Sequence, residues 1–422
     1  MNIYFVGIGG IGMSALAQWY VSNGHTVAGS DKDTSPVVDM LREKGVGVHI
    51  GHDVTSLSKD IDLVVYSDAV HEDNVERLWA REHAVRQLSY FEALGEVSKE
   101  KFTIAVAGTH GKTTTTAMLG KILIDAGIKP TIVVGSVVSA FGGNFVAGDA
   151  EAPLVVEACE YQDHLLKLSS DVLVITNLEW DHTDYFKDFA AVKETFRKAV
   201  VALPESGALI TNLKDPVLEE LAQNAQCLVI DYSDTSVPEL QLLGGFNEMN
   251  ARAAKTAAAV FAENLDEKTI DESLTAFKGT WRRFEYIGET EKGAQVYDDY
   301  AHHPTAVRET LIAVKEKFPD KKVVVAFHPH LYTRTRDFMD EFVAALSVAD
   351  EVVVAPIYAA REEPIEGVAS EVLAEKIGRK AVAVEDLNEV FLLLKEKDAK
   401  NIVFITMGAG DVYKVSRELT IN

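Results

Sequence analysis

The sequence predicts an α/β protein with parallel sheets, divided into three domains. Short Val/Ile-rich runs such as NIYFVG, FTIAVAG and KVVVAF alternate with helical stretches along almost the whole chain. Continuous apolar strands separated by helices are typical of parallel sheets that are covered by helices on both faces. A chain of 422 residues is also too long for one ordinary hydrophobic core, which indicates more than one domain.

Two domain boundaries are predicted. The first lies near residue 98, where the charged stretch SKEK precedes a new apolar strand. The second lies near residue 279, after a helical pattern and just before the segment WRRF. The predicted domains are therefore 1–98, 99–279 and 280–422, each of ordinary domain size.

Composition and charge limit the partners that we expect. The chain has 41 basic and 65 acidic side chains and a formal net charge of -24, which repels nucleic acids and anionic lipids. The sequence contains no visible signal peptide and no apolar run of the roughly 18–20 residues that a membrane span needs. Cys159 and Cys227 form no disulfide or metal pattern. We expect a cytoplasmic monomer or homodimer with no nucleic-acid or membrane partner.

The first glycine-rich loop is Gly7-Ile8-Gly9-Gly10-Ile11-Gly12, which satisfies G-x-G-x-x-G between a predicted strand and a predicted helix. Glycines let the backbone approach a diphosphate, and the helix N-terminus supplies N–H groups and a partial positive charge. Asp31 ends the next strand, where an acidic side chain would meet a ribose hydroxyl. The loop predicts a Rossmann-like domain for a diphosphate nucleotide. A nicotinamide cofactor, or a tight turn without a ligand, would also fit this loop alone.

The second glycine-rich loop is Gly108-Thr109-His110-Gly111-Lys112-Thr113-Thr114, again between a predicted strand and a predicted helix. Such a loop offers backbone amides and a lysine to phosphates, and a hydroxyl to Mg²⁺. It departs from the Walker spacing because Val106 stands where the first glycine would be. The segment predicts a central α/β domain of the P-loop ATPase type. Two loops indicate two different nucleotides, with ATP at the second.

A family resemblance extends over all three predicted domains. The following segments occur in order: GIGGIGMSALA, GTHGKTTTT, EACEYQDHLL, TNLEWDHTDYF, FNEMNARAA, WRRFEYIG, DDYAHHPT, HPHLYTRTRD and MGAGDVY. In this order they resemble the Mur ligase family, and HHPT followed by PHLYTRTRD resembles the members that add L-alanine. The resemblance implies ATP- and Mg²⁺-dependent joining of L-alanine to the lactyl carboxylate of UDP-N-acetylmuramate through an acyl phosphate, in peptidoglycan precursor synthesis.

The same resemblance implies a role for each domain. The first glycine-rich loop would hold the UDP of the substrate, with Asp31 and with Ser67, which ends the later strand DLVVYS. The central domain would bind ATP. A Rossmann-like C-terminal domain would receive the incoming amino acid.

Acidic and histidine residues follow strands of the central segment. Glu157 and Glu160 follow LVVEA, and His182 lies beyond DVLVIT, positions that suit Mg²⁺ beside a phosphate loop. The resemblance assigns Thr113 and Glu157 to one Mg²⁺, and Glu157 with His182 to a second. From the residues alone Glu157 is favoured over Glu160, since it follows the strand directly. For Glu160 and Asp181 the alternative is helix capping or pairing with surface lysines.

Two further motifs carry predicted ATP contacts. In the family, the motif with Asn247 and Asn250 contacts adenine, usually after a histidine, but Phe246 stands there in this chain. We assign Asn250 to ATP and expect Asn247 to cap the helix that follows. Arg282 and Arg283 lie at the second boundary, where Arg283 would brace the transferring phosphoryl group. An inert hinge with solvated arginines is the alternative.

The C-terminal segment has polar residues after two predicted strands, where open α/β sheets bind ligands. Its histidines match no closed zinc site. The resemblance assigns Asp299 to ATP. It assigns four side chains to the amino acid and the acyl centre: Tyr300, His302, His330 and Arg334. His302 would assist proton removal, and Arg334 would clamp the amino-acid carboxylate because Leu331 stands where many relatives have arginine.

Three alternatives remain at this stage. A ligase of the same family that attaches a ready-made peptide to the same sugar nucleotide shares most of these motifs. A nicotinamide-dependent dehydrogenase explains the first loop but leaves residues 108–114 without a purpose. A non-catalytic nucleotide-binding regulator would have no need of Lys112, Glu157 and His182.

Overall fold

The computed structural model of the chain describes residues 1–262, 264–360 and 362–421. The chain separates into two compact units. The first unit comprises Met1–Leu178, Lys193–Pro238 and Asn250–Phe277, and it contains two β-sheets. The second unit comprises Glu179–Val192, Glu239–Met249 and Lys278–Asn422, and it contains a third sheet.

The first sheet is built from the N-terminal residues. Its strands are β1 (Asn2–Val6), β2 (Thr26–Asp31), β3 (Gly47–Ile50), β4 (Leu63–Tyr66) and β5 (Arg86–Ser89). Its helices are α1 (Ile11–Ser22), α2 (Pro36–Glu43), α3 (Val75–Glu82) and α4 (Tyr90–Lys99). All pairs are parallel, in the order β3-β2-β1-β4-β5. The order reverses at β1, so the loops after β1 and β4 border the crevice where such sheets bind ligands.

The second sheet belongs to the central part of the chain. Its strands are β6 (Thr103–Ala107), β7 (Thr131–Val138), β8 (Gly143–Val146), β9 (Leu154–Glu157), β10 (Val172–Ile175), β11 (Ala208–Thr211) and β12 (Leu228–Asp231). The helices of this part are α5 (Lys112–Asp125), α6 (Phe189–Val201), α7 (Pro216–Ala222), α8 (Gly245–Phe261) and α9 (Glu267–Thr275), with 3-10 turns at Ser139–Phe141 and Tyr161–Lys167. The strand order is β12-β11-β10-β6-β9-β7-β8, and only β7 and β8 pair antiparallel among these described strands. The strands β9 and β10 therefore flank β6, which leads into the second glycine-rich loop.

The third sheet lies in the second unit. Its strands are β13 (Glu285–Glu289), β14 (Gln295–Asp299), β15 (Lys322–Phe327), β16 (Glu351–Val354), β17 (Ala381–Ala383) and β18 (Ile402–Met407). Its helices are α10 (Pro304–Lys317), α11 (Tyr332–Asp337), α12 (Met339–Leu346), α13 (Ser370–Ile377), α14 (Leu387–Lys397) and α15 (Tyr413–Leu419). The order is β13-β14-β18-β15-β16-β17, with β13 antiparallel to β14 and the other pairs parallel.

The apolar strands are buried on both faces, as predicted. In β15, Val323, Val325 and Phe327 point into one hydrophobic cluster, while Val324 and Ala326 point into another. Side chains alternate between the faces of a strand, so a continuous apolar run is what a doubly covered parallel strand requires. The prediction of an α/β fold with parallel sheets is confirmed. Within the described residues, every helix is too short or too polar to cross a bilayer.

Candidate functional site

The first glycine-rich loop is held by backbone and side-chain hydrogen bonds at the end of β1. The amides of Gly7 and Ile8 both donate to the Ser30 carbonyl at 2.9 Å. The Gly9 amide donates to Oδ2 of Asp31 at 2.7 Å. Asp31, predicted to meet a ribose, therefore also shapes the loop that precedes α1.

The start of α1 offers hydrogen-bond donors. The first N–H groups of any helix lack partners within the helix. The residue before α1, Gly10, has no side chain that could cap them. Ser67 follows β4 and lies beside the loop, because a Cβ built on Gly7 would lie 3.1 Å from the Ser67 Cβ. The predicted diphosphate residues are thus brought together at one edge of the first sheet.

The second glycine-rich loop requires glycine at its last turn. Gly111 has a φ of +82°, and a Cβ added there would lie 2.2 Å from Oδ1 of Asn250. The Thr115 hydroxyl also donates to Asn250 Oδ1, at 3.3 Å. Asn250, assigned to ATP from the sequence, therefore lies directly beside the phosphate loop.

Asn177 is a residue of this site that the sequence analysis missed. Its carbonyl accepts a hydrogen bond from the Thr109 amide at 3.1 Å, and its side-chain oxygen accepts from the His110 amide at 2.8 Å. Asn177 follows β10, the neighbour of β6, and its position after a buried strand was the available signal. Asn177 therefore holds Thr109 and His110 of the second glycine-rich loop in place.

Lys112 is paired with a buried carboxylate. Its Nζ donates to Glu160 Oε2 at 2.9 Å and to the Gly108 carbonyl at 2.5 Å. Burial alone would lower the pKa of Lys112, but the charge of Glu160 and its neighbours outweighs burial and raises it. The lysine is therefore protonated at neutral pH, as phosphate binding requires. The alternative that Glu160 pairs with a surface lysine is wrong, because its partner is Lys112 of the loop, whose side chain is only 14% exposed.

The two glutamates after β9 point to different partners. The Thr113 hydroxyl donates to Glu157 Oε1 at 3.0 Å, and the Gly135 amide donates to Glu157 Oε2 at 2.8 Å. A hydroxyl and a carboxylate are the oxygen donors that Mg²⁺ prefers, so Thr113 and Glu157 fit the predicted ion. Glu160 is occupied by Lys112, which supports the preference for Glu157. His182 lies in the second unit, where its amide donates to Asp181 Oδ1 at 2.7 Å.

The capping role expected for Asn247 is wrong. The helix α8 begins at Gly245, so Asn247 lies inside its first turn. The Asn247 side chain donates its Nδ2 hydrogen to the Leu243 carbonyl at 2.7 Å, whereas an N-cap side chain accepts from helix amides.

Arg282 is a buried structural residue of the second unit. Its Nε donates to Asp298 Oδ2 at 2.8 Å, and its other nitrogens donate to the carbonyls of Gly408 and Gly410. The alternative of solvated arginines is therefore wrong for Arg282. Arg283 instead lies over the ring of Tyr300, with its guanidinium carbon 4.9 Å from the ring centroid.

Asp299, assigned to ATP, lies buried at the end of β14. Its Oδ2 accepts a hydrogen bond from the Thr310 hydroxyl at 2.6 Å. Burial raises the pKa of Asp299 above its usual range. Thr310 belongs to α10, so the carboxylate also anchors that helix to the strand.

The residues assigned to the amino acid cluster around Asp181. Arg334 donates its Nη2 and Nε hydrogens to Asp181 Oδ1 at 2.7 and 3.0 Å, and its Nη1 hydrogen to His330 Nδ1 at 2.9 Å. The rings of His302 and His330 are 5.9 Å apart. Asp181 is buried and its partner is Arg334, so the alternative of a pairing with a surface lysine is wrong. A guanidinium has five N–H donors, so Arg334 keeps donors beyond these three.

His302 is arranged as a proton acceptor. Its Nδ1 lies 2.9 Å from the Tyr300 carbonyl, which can only accept, so Nδ1 carries the hydrogen and Nε2 has a free lone pair. Burial, and then the positive charge of Arg334, lower the pKa of His302 well below its usual value. The imidazole is therefore neutral at neutral pH, the state that a proton acceptor needs.

A neighbouring histidine gives the second unit a predictable pH dependence. His328 is 5% exposed, and burial lowers its pKa to about 4, with Arg282 lowering and Asp411 raising it. The unfolded chain therefore binds a proton below the ordinary pKa of 6.5 that the folded chain does not bind. We expect the neutral His328 to lower the free energy of unfolding by about 3 kcal/mol as the pH falls from 6.5 towards 4. Above pH 6.5 it should have no effect.

Urea unfolding of the His328→Gln variant at pH 7 and pH 5 measures this cost. The variant should lose less stability than the parent over this interval. The exposed His83→Gln variant is the matched control and should follow the parent. The prediction would be contradicted if the free energy of unfolding fell equally between pH 7 and pH 5 in the parent and in His328→Gln.

The two glycine-rich loops are typical of an α/β enzyme that binds nucleotide phosphates. At the second loop, Lys112, Thr113 and Glu157 supply an ammonium group, a hydroxyl and a carboxylate. Family models match residues 2–102 (Mur ligase family, catalytic domain), 106–241 (Mur ligase middle domain) and 282–410 (Mur ligase, glutamate ligase domain). The chain belongs to the Mur ligase family.

The relatives of this chain cover nearly its whole length. It is 38% identical to the UDP-N-acetylmuramate–L-alanine ligase of Caldicellulosiruptor saccharolyticus over 98% of this chain and 97% of that protein. It is 37% identical to the ligase of the same name from Clostridium acetobutylicum, over 98% and 96% of the two chains. The crystal structure of the UDP-N-acetylmuramate-alanine ligase of Thermotoga maritima superposes with a TM-score of 0.82 at 29% identity, covering 99% and 98% of the two chains.

Proposed function

We propose that this ligase joins L-alanine to the lactyl carboxylate of UDP-N-acetylmuramate with consumption of ATP, a step of peptidoglycan precursor synthesis. The observation that carries the proposal is the presence, in a single unit, of two glycine-rich loops that each lead from a parallel strand into a helix. One loop fits a sugar nucleotide and the other a triphosphate. Similarity over nearly the full length to alanine ligases supports the choice of amino acid.

We assign a binding role to each predicted domain. Residues 1–98 bind the UDP moiety through Gly7, Gly9, Gly10, Gly12 and the side chains of Asp31 and Ser67. Residues 99–279 bind ATP through the loop 108–114 and Asn250. Residues 280–422 receive L-alanine and contribute Arg283 and Asp299 to the nucleotide.

The triphosphate site would hold one Mg²⁺ on Thr113 and Glu157, and a second on Glu157 with His182. When bound, the ions would neutralise part of the triphosphate charge. Lys112 and Arg283 would each add a positive charge at the transferring phosphoryl group. These groups act by position and electrostatics, because phosphoryl transfer asks for little covalent chemistry from the protein.

The reaction would proceed in two transfers. A lactyl carboxylate oxygen attacks the γ-phosphorus of ATP, ADP leaves, and an acyl phosphate forms. The alanine nitrogen then attacks the acyl carbon, the C–O bond to phosphate breaks, and inorganic phosphate leaves. His302 Nε2 takes the proton that the amine must lose. Tyr300, His330 and Arg334 hold the amino acid, and closure of the site would protect the acyl phosphate from water.

Phosphate release from ATP tests the proposal. The full chain is mixed with ATP, Mg²⁺ and UDP-N-acetylmuramate, and L-alanine, L-serine, glycine or an L-alanyl tripeptide is added in turn. We expect release to depend on the sugar nucleotide and to be fastest with L-alanine. Faster release with the tripeptide would point to the peptide-attaching ligase, an alternative that the names of the relatives do not favour. Binding of NADH without phosphate release would point to the dehydrogenase.

A further inference from the structure

Tyr90 lies against the first glycine-rich loop. It is the first residue of α4, and a Cβ built on Gly12 would lie 2.6 Å from its Cζ and 2.8 Å from its hydroxyl oxygen. Such distances are too short for any side chain. A side chain at position 12 would therefore have to displace the phenol end of Tyr90, which occupies the space beside the first turn of α1.

The Tyr90 hydroxyl is a donor that the protein does not use. Within the part of the chain that the structure describes, this hydroxyl has no hydrogen-bond partner, and the Tyr90 ring packs against Phe91. Burial raises the pKa of Tyr90, and the charges of Glu157, Cys159 and Asp68 add to the rise. The phenol keeps its proton at neutral pH and can donate it to an acceptor.

Residues from both the N-terminal and the central part of the first unit lie near Tyr90. On one side lie Gly12 and the unpaired amides that begin α1. On the other side Phe91 stacks on His164 of the central segment, with ring centroids 3.7 Å apart. The charge of Glu157, which accepts a hydrogen bond from Thr113 of the phosphate loop, contributes to the raised pKa of Tyr90.

We propose that Tyr90 is a substrate-binding residue, whose hydroxyl donates a hydrogen bond to an anionic oxygen of the sugar nucleotide at the start of α1. The inference rests on the proposed function and adds a residue to it. Two groups of the substrate carry such oxygens: the diphosphate and the lactyl carboxylate. Hydrogen bonds to charged acceptors are the stronger kind, so loss of this one should weaken binding about 10-fold or more.

The Tyr90→Phe variant of the full chain tests the role in turnover. It removes only the hydroxyl and keeps the ring against Gly12. We expect the KM for UDP-N-acetylmuramate to rise about 10-fold, while the KM for ATP and the melting temperature stay unchanged. Tyr286→Phe is the matched control, because Tyr286 is exposed on β13 and should leave all three values as in the parent.

Calorimetric titration of the Tyr90→Phe variant distinguishes the two acceptor groups. If the diphosphate is the acceptor, affinity for UDP, UDP-N-acetylglucosamine and UDP-N-acetylmuramate should fall alike. If the lactyl carboxylate is the acceptor, only UDP-N-acetylmuramate should bind more weakly. Unchanged affinity for all three, in a variant that still ligates L-alanine, would overturn the role of Tyr90 and leave the proposed function standing. A parent chain that binds UDP but ligates no amine would overturn the proposed function instead.

Discussion

Replacing Lys112 with alanine is expected to lower the rate of ADP formation about a thousandfold while the chain still binds UDP-N-acetylmuramate. The lysine is the charge of the second loop that faces the transferring phosphoryl group in the proposed reaction, and losses of this size follow removal of such groups. The first loop depends on Ser30 and Asp31 and makes no use of Lys112. Sugar-nucleotide binding should therefore survive.

The variant also carries a cost in stability, which must be separated from the loss of activity. Glu160 is 2% exposed, so removal of Lys112 takes the ion pair with this lysine away from a buried carboxylate. Breaking a buried pair in this way costs about 3–5 kcal/mol. The double variant Lys112→Ala/Glu160→Gln removes the stranded charge and should recover stability without recovering ADP formation.

Unfolding in urea follows stability, and calorimetric titration follows sugar-nucleotide binding in each variant. Lys101→Ala is the matched control, since Lys101 donates only to backbone carbonyls near residue 150 and should keep full activity. If the double variant were folded but had lost sugar-nucleotide binding together with ADP formation, the separate tasks of the two loops would be refuted.

The local parts of the site could be predicted from the sequence. Each glycine-rich loop is a contiguous strand–loop–helix segment, and the structure has β1 before α1 and β6 before α5. Gly111 is required by its φ of +82° and by the Asn250 side chain beside it, and such local requirements produce a recognisable sequence motif.

Pairings between distant residues could not be predicted in this way. Asp181 and Arg334 are 153 residues apart, and Arg282 reaches carbonyls 126 and 128 residues away. Whether Glu157 or Glu160 pairs with Lys112 depends on the directions in which their side chains point after β9. Tyr90 belongs to no motif, and its importance follows only from its contact with Gly12. The strands, helices and glycine-rich loops thus depend on contiguous sequence, whereas the pairing of side chains that are distant in sequence depends on tertiary packing.

Replacing Asp181 with alanine is expected to lower the free energy of unfolding of the second unit by about 3–5 kcal/mol, because it leaves Arg334 buried without its carboxylate. Lys376 and Asp340 form the matched exposed pair of the same unit, and Asp340→Ala should change little. The double variant Asp181→Leu/Arg334→Met removes both buried charges and should regain much of the stability. It should nevertheless ligate L-alanine poorly if Arg334 clamps the amino acid.

The pair of Asp181 and Arg334 also predicts how the stability of the protein depends on pH in the acid range. Burial alone would raise the pKa of Asp181, but Arg334 and then His182 outweigh it and hold the pKa well below 3.8. The folded chain therefore binds fewer protons than the unfolded chain, and the stability from this carboxylate is present above pH 3.8 and lost as the pH falls through the folded-state pKa. In the Asp181→Ala variant, the free energy of unfolding measured with urea should consequently decrease less than in the parent as the pH falls from 5 to about 2. A variant whose stability falls in parallel with the parent over that range would mean that Asp181 is not held ionised by Arg334.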